Sequence, residues 1–449
     1  MKAEQQYIDL YTQYHDLICE HSAEVLNAAR EHAFAEFVRL GFPSKKLEKY
    51  KYTDIGKLFE PDFGMNIKQI PVDINPYDVF SSNVPNMSTS LFFIANDSFY
   101  SAGSSGSNLP QGVLAGSLKQ MAQTHPALVE RYYGKLADVS SDGVTAFNTV
   151  FAQDGFFIYV PRGVVVDKPI QLINVFHAET DLLVSRRILV VLEEASSAKL
   201  LICDHTIDDN SCLANQVIEV FVGDGASLDL YELEENNDKS VRISNLYLQQ
   251  GAGSNVQLGG MTLMGGVTRN MTQTRFAGEG SELGLYGMAL CDGSQVVDSN
   301  TYVDHAYPHC TSNQLFKFVM DGQSVGAFAG LVMVEPGAHH TSSQQTNRNL
   351  CVTREARMYT QPQLEIYNDD VKCSHGAAVG QLDETALFYM RQRGISLKEA
   401  RHLLMYAFVG EVLNTIRINA LRERLQLLVD KRLRGELGKG CDSCDICRK

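Results

Sequence analysis

A small turn residue recurs along the middle of the chain, followed three and five positions later by apolar residues. Ala195 precedes Ala198 and Leu200, Gly225 precedes Leu228 and Leu230, Gly253 precedes Val256 and Leu258, and Gly280 precedes Leu283 and Leu285. These anchors stand 30, 28 and 27 residues apart. Gly163 with Val166 extends the series 32 residues backwards, and Gly322 with Val325 and Ala327 continues it after one 42-residue step. A period near 30, built from alternating apolar runs and tight corners with no helix between them, is what the stacked coils of a β-solenoid require. Each coil has an inner face that it cannot bury alone, and stacking both buries that face and pairs the backbone with the next coil. A large antiparallel sandwich also alternates apolar strands, but nothing in it demands a fixed period, so the solenoid is favoured.

The repeat sits inside a longer β-rich stretch, with runs such as Leu91-Phe92-Phe93-Ile94 and Ile188-Leu189-Val190-Val191-Leu192 punctuated by glycine and interrupted by helical patterns only around 115–151. The chain has 35 Gly against 12 Pro, which suits many corners of positive φ. Helical spacing of Ile8, Tyr11, Ile18, Leu26, Phe34 and Phe37 ends at Gly41-Phe42-Pro43. After Gly380 helices return: Asp383 can cap one, Ser396-Leu397-Lys398-Glu399 is a capping box, and one long helix is expected over about 409–434. The expected organisation is an N-terminal helical region (1–90), a β-helix core (91–382), a C-terminal helical docking region (383–435) and a flexible cysteine-containing tail (436–449). Residues 383–449 hold 13 Lys and Arg against 9 Asp and Glu, while the whole chain carries a net charge of −14. A mildly basic helical module beside an acidic body reads as a docking element.

That acidic balance argues against a broad nucleic-acid surface. The one basic aromatic stretch, Lys45 to Asp54, reads as a solvated face or a partner contact rather than a base-stacking strip. No run of about 18 apolar residues and no apolar leader is present, so neither a membrane span nor export is expected. The ten cysteines lack the density of a disulfide scaffold, which points to a reducing, cytoplasmic setting. No phosphate-binding G-x-x-x-x-G-K-[ST] motif occurs, and Gly251-Ala252-Gly253-Ser254 and Gly278-Glu279-Gly280-Ser281 fall on repeat corners, so they read as turns.

Three groups of residues carry candidate chemistry. Cys373 and His375, two apart in a strand, project to one face, where a thiolate and an imidazole can share a metal. A buried thiol beside a hydrogen-bonded imidazole is equally natural, and two ligands cannot close a site unless a second chain completes it. Cys441, Cys444 and Cys447, at successive spacings of three, can wrap a soft metal or an iron–sulfur cluster, or form a redox-labile tail. His339 and His340, with His305, His309 and Cys310, form a cluster only if successive coils stack them; surface turns and satisfied imidazoles are the plainer reading. Acidic pairs such as Asp208-Asp209 and Asp369-Asp370 suit the polysaccharide chemistry of some β-helices, yet nothing locates a substrate groove.

The stretch from Thr360-Gln361-Pro362-Gln363-Leu364-Glu365-Ile366-Tyr367-Asn368-Asp369-Asp370-Val371-Lys372-Cys373-Ser374-His375-Gly376 through Gly380-Gln381-Leu382-Asp383 to Arg393-Gly394-Ile395 closely resembles the signature of the SufB/SufD family, scaffold subunits of the SUF iron–sulfur cluster assembly machinery. Lys46 to Asp54 is similar to the N-terminal motif of the SufD branch, and Asp154 to Val164 to the family's entry into its core. Gln361 departs from the usual Lys before Pro362, and Cys351 sits where an aliphatic residue is usual. The resemblance implies a right-handed parallel β-helix between helical regions and a non-catalytic scaffold. It also implies pairing with a SufB-like subunit through the β-helices and docking of the C-terminal helices on a SufC-like ATPase. A transient iron–sulfur cluster would form at the subunit interface, with His375 as ligand and Cys373 as secondary ligand or sulfur relay. The tail cysteines lie outside the family pattern. Rival readings are a polysaccharide-acting β-helix enzyme and a structural protein that homodimerises when alone. Cluster type, sulfur donor, flavin involvement and stoichiometry follow from no motif.

Overall fold

The computed structural model describes residues 3–76, 89–101 and 109–436. Its strands begin with β1 (Ser90–Ala95), β2 (Ser98–Tyr100) and β3 (Leu114–Ser117), then β4 (Gly155–Val160), β5 (Ile170–Phe176), β6 (Leu182–Leu192), β7 (Ser197–Thr206), β8 (Cys212–Val222) and β9 (Ser227–Glu235). The run continues through β10 (Val241–Gln250), β11 (Asn255–Met264), β12 (Val267–Phe276), β13 (Glu282–Cys291), β14 (Val296–His305) and β15 (Thr311–Met320) to β16 (Val325–Val334), β17 (Thr341–Cys351), β18 (Arg357–Ile366) and β19 (Val371–Gly380). From β4 onward the even strands form one parallel sheet and the odd strands another, so each two-strand coil stacks on the last and the chain winds through about eight turns of a parallel solenoid. The antiparallel sandwich is thereby excluded.

The corners explain the period and correct one step of it. A left-handed backbone, with φ between 55° and 71°, occurs at Gly163, Ala195, Gly225, Gly253, Gly280, His309 and His340, each leading into an odd strand. The series therefore continues from Gly280 through two histidines. Gly322 (φ 60°) lies at the opposite corner, between β15 and β16, below Gly293 (φ 55°) between β13 and β14. The 42-residue step arose because a glycine-based frame jumped from one edge of the solenoid to the other.

Helices cover both outer faces. On the even sheet, α1 (Ala3–Glu20), α2 (Glu24–Asn27), α3 (Arg30–Leu40), α4 (Ile55–Leu58), α5 (Leu118–Thr124), α6 (Pro126–Tyr132) and α7 (Gly143–Phe151) supply two apolar clusters. In the larger, Tyr7, Phe37 and Phe147 meet Leu183, Leu213 and Ile243. The Lys45–Asp54 stretch straps this face rather than standing free. Tyr50 is buried, donates to Asp142 at 2.6 Å and lies 4.1 Å beneath the Arg269 guanidinium. Tyr52 stacks on Tyr359, and Gln361 donates to Glu48 at 2.6 Å.

On the odd sheet, α8 (Glu384–Gln392) leads to α9 (Leu397–Leu413) and α10 (Asn419–Arg434). Leu421, Leu425, Leu428 and Val429 pack with Leu233, Leu263, Met288 and Leu290. The single helix expected over 409–434 is thus two, broken at 414–418, and the sheet holds the break. Gln257 donates to the Thr415 carbonyl at 2.6 Å, the Arg417 N–H donates to the Tyr231 hydroxyl, and Arg417 pairs with Asp229 at 2.9 Å. Much of the C-terminal region is therefore part of the core, and removing 383–435 would strip an apolar face rather than leave an intact solenoid.

Between the sheets the interior is not uniformly apolar. Arg242 pairs with Asp204 at 2.6 Å and with Glu232, beside a cavity of about 50 Å³ also lined by Glu234, Asn270 and Thr272. Burial pushes the Glu234 carboxyl from its ordinary 4.5 up to about 7, against the opposing pull of Arg242 and the Thr268 hydroxyl. The folded chain then holds a proton that the unfolded chain releases, so stability falls as pH rises from about 4.5 to about 7. At about 1.4 kcal/mol per pKa unit the effect is on the order of a few kcal/mol. Glu234→Gln is expected to gain on the wild type across that window in denaturant unfolding and to hold a constant difference above it. A difference that does not change between pH 4 and pH 8 would contradict this assignment.

Candidate functional site

Parallel in-register pairing places equivalent residues of successive coils on one face, about 4.8 Å apart. The row three residues after the corner runs Ala198, Leu228, Val256, Leu283, Ser312, Ser343, Cys373. The row five residues after it runs Leu200, Leu230, Leu258, Leu285, Gln314, Gln345, His375. The aliphatic members belong to the inner core, which fixes both rows as inward-facing. Cys373 and His375 are therefore the last positions of the repeat's own inner rows. They lie on the last coil, where among the described residues no further turn covers them and His375 is exposed. The same-face expectation for this pair holds, and the face is the solenoid interior seen from its open end.

Beneath the pair, two coils replace aliphatic side chains with a hydrogen-bonded lattice. Ser343 and Ser312 share a hydroxyl contact of 2.8 Å, and His305 Nε2 meets the Ser312 hydroxyl at 2.8 Å. In the neighbouring row Gln345 Nε2 donates to Gln314 Oε1 at 3.2 Å, and that oxygen also accepts from Thr301 at 2.9 Å. His305 is fully buried, and burial holds its imidazole down to about 3, so it is neutral. Burial pushes the Cys373 thiol up, opposed by the Ser343 N–H, so the isolated chain presents a thiol that a metal or partner must deprotonate. The polar rows were not anticipated from sequence. Their signal is there: counting three and five from His309 and His340 gives Ser312, Gln314, Ser343 and Gln345.

The other candidates separate. Cys441, Cys444 and Cys447 lie outside the described residues. Cys310 is buried and donates to the Gly278 carbonyl, while His305 belongs to the interior lattice. His309 and His340 stack on each other at the exposed corner. Among the described residues no three His, Cys, Asp or Glu converge as a metal set, so Cys373 and His375 form at most half a site. Among the described residues both terminal strands, β18 and β19, pair on one side only, which leaves open backbone edges at the same end of the solenoid. Ile366, Tyr367 and Val379 are exposed there. No helix among the described residues is long and apolar enough to cross a membrane.

The family model described as "SUF system FeS cluster assembly, SufBD core domain" matches residues 175–408, and that described as "SufBD protein N-terminal region" matches residues 1–172. The chain is 28% identical to the iron-sulfur cluster assembly protein SufD of Escherichia coli over 427 residues, covering 94% of this chain and 96% of that protein. It is 29% identical to an iron-sulfur cluster assembly SufBD family protein of Synechocystis over 402 residues, 88% of each. To SufD of Bacillus subtilis it is 27% identical over 329 residues, 72% of this chain and 75% of that one.

Proposed function

The chain belongs to the SufBD family and is a SufD-like subunit of iron–sulfur cluster assembly, and from this premise we propose that it works as a non-catalytic, cytoplasmic scaffold that supplies half of a cluster-building interface. The observation that carries this reading is the position of Cys373 and His375, at the end of both inward rows on an uncovered coil. A SufB-like solenoid meeting that end would continue the two sheets, satisfy the edges of β18 and β19, and bring its own ligands to the pair. The cluster is cargo. His375 contributes its imidazole to the nascent cluster, and Cys373 acts as secondary ligand or sulfur relay once deprotonated.

A SufC-like ATPase would dock on the C-terminal helices. Much of that region packs inward, but Phe388 and Tyr389 of α8 are 63% and 58% exposed, side by side on the surface. The test is anaerobic co-purification of the full chain with SufB-like and SufC-like partners. Phe388→Asp with Tyr389→Asp is expected to lose the ATPase, keep the SufB-like subunit and melt as wild type, because both rings already meet water. An unchanged trio would place the ATPase elsewhere.

A further inference from the structure

The corner column that sets the period ends in donor side chains. By register it runs Gly225, Gly253, Gly280, His309, His340, Asp370. Backbone bonds tie its last members together, from the His309 N–H to the His339 carbonyl and from the His340 N–H to the Asp370 carbonyl, both 2.8 Å. Five earlier coils put glycine or alanine at the left-handed corner; the next two put histidine there, at φ 60° and 58°. A non-glycine residue at positive φ is uncommon and costs energy, and such strain gathers at functional positions.

The two imidazoles stack with ring centroids 4.7 Å apart and planes inclined by 29°, and both residues are exposed. His340 Nδ1 lies 3.1 Å from Asp370 Oδ2. A carboxylate on one ring nitrogen fixes the tautomer and leaves Nε2 as the outward lone pair, the arrangement that orients metal-binding histidines. We propose that His309 and His340 form a two-imidazole site for a divalent first-row transition-metal ion, with Asp370 orienting His340. The parallel ladder holds both corners in place, so little order must be imposed on binding. No third protein donor converges among the described residues, so water completes the coordination. Asp370 is three residues before Cys373 and five before His375, about 10 Å and about 17 Å along an extended strand, so this site is separate from the cluster-ligand pair and stands whether or not that reading holds.

The test uses the full chain with Cys441→Ser, Cys444→Ser and Cys447→Ser as parent, to silence the tail thiols. Calorimetric titration with Ni²⁺ at pH 7.5 is expected to show a site that His309→Asn or His340→Asn weakens by roughly tenfold or more, and Asp370→Asn by about tenfold. Asn tolerates the left-handed corner, so these variants should melt as the parent does. His375→Ala should leave the site intact. Electron paramagnetic resonance of one equivalent of Cu²⁺ on the unsubstituted corner should show two coordinated imidazole nitrogens. A His309→Asn, His340→Asn double variant that binds Ni²⁺ like its parent, or a Cu²⁺ spectrum without that nitrogen pair, overturns the proposal.

Discussion

Arg187→Met is expected to lower the unfolding free energy by about 3–5 kcal/mol, the largest stability loss among the substitutions considered for this chain. Arg187 and Glu219 are fully buried on neighbouring strands of the even sheet, and the guanidinium reaches the Glu219 carboxylate at 2.7 Å. Asn148 Oδ1 and Thr149 Oγ1 of α7 accept from its Nη1. Glu219 also accepts from the N–H groups of Gly134, Leu136 and Ala137 at 2.9–3.1 Å, so the pair fastens the 134–137 loop to the solenoid. Methionine conserves much of the volume but strands a buried carboxylate. Adding Glu219→Leu removes that charge yet leaves the three N–H groups without an acceptor, so the double variant recovers only part of the loss. Guanidinium unfolding at pH 7 reads both. A loss below about 1 kcal/mol for Arg187→Met would show that the loop and α7 are held by apolar packing alone.

The solenoid was legible because its period is written in corner residues that need a left-handed backbone. The same clue failed at Gly322, since positive φ occurs at both edges of a flattened coil and glycine does not say which edge it serves. Histidine at His309 and His340 hid two genuine corners for the complementary reason, being an uncommon occupant of that conformation. Once those corners are restored, counting three and five residues from Asp370 lands on Cys373 and His375, so the pair was readable as the end of the inner rows. The same count from His309 and His340 places Ser312, Gln314, Ser343 and Gln345 in those rows, but their hydrogen bonding was not readable, because polar residues there look solvent-facing until the coil above buries them. The break at 414–418 was equally hidden. Its cause is Gln257 and Tyr231, more than 150 residues away, while the apolar spacing of α9 and α10 runs through it unchanged.

The remaining large effect concerns function. His375 stands at the mouth of a stack whose lower members are already hydrogen-bonded, so its imidazole can be removed without opening the core. His375→Ala should therefore leave the fold and the subunit contacts intact while removing the proposed cluster ligand. Non-heme iron and acid-labile sulfide, measured in the anaerobically co-purified complex of this chain with the proposed SufB-like and SufC-like partners, test this directly. The expected result is a His375→Ala complex of unchanged composition with iron and sulfide near background; wild-type amounts of both in that complex would contradict the proposed ligand.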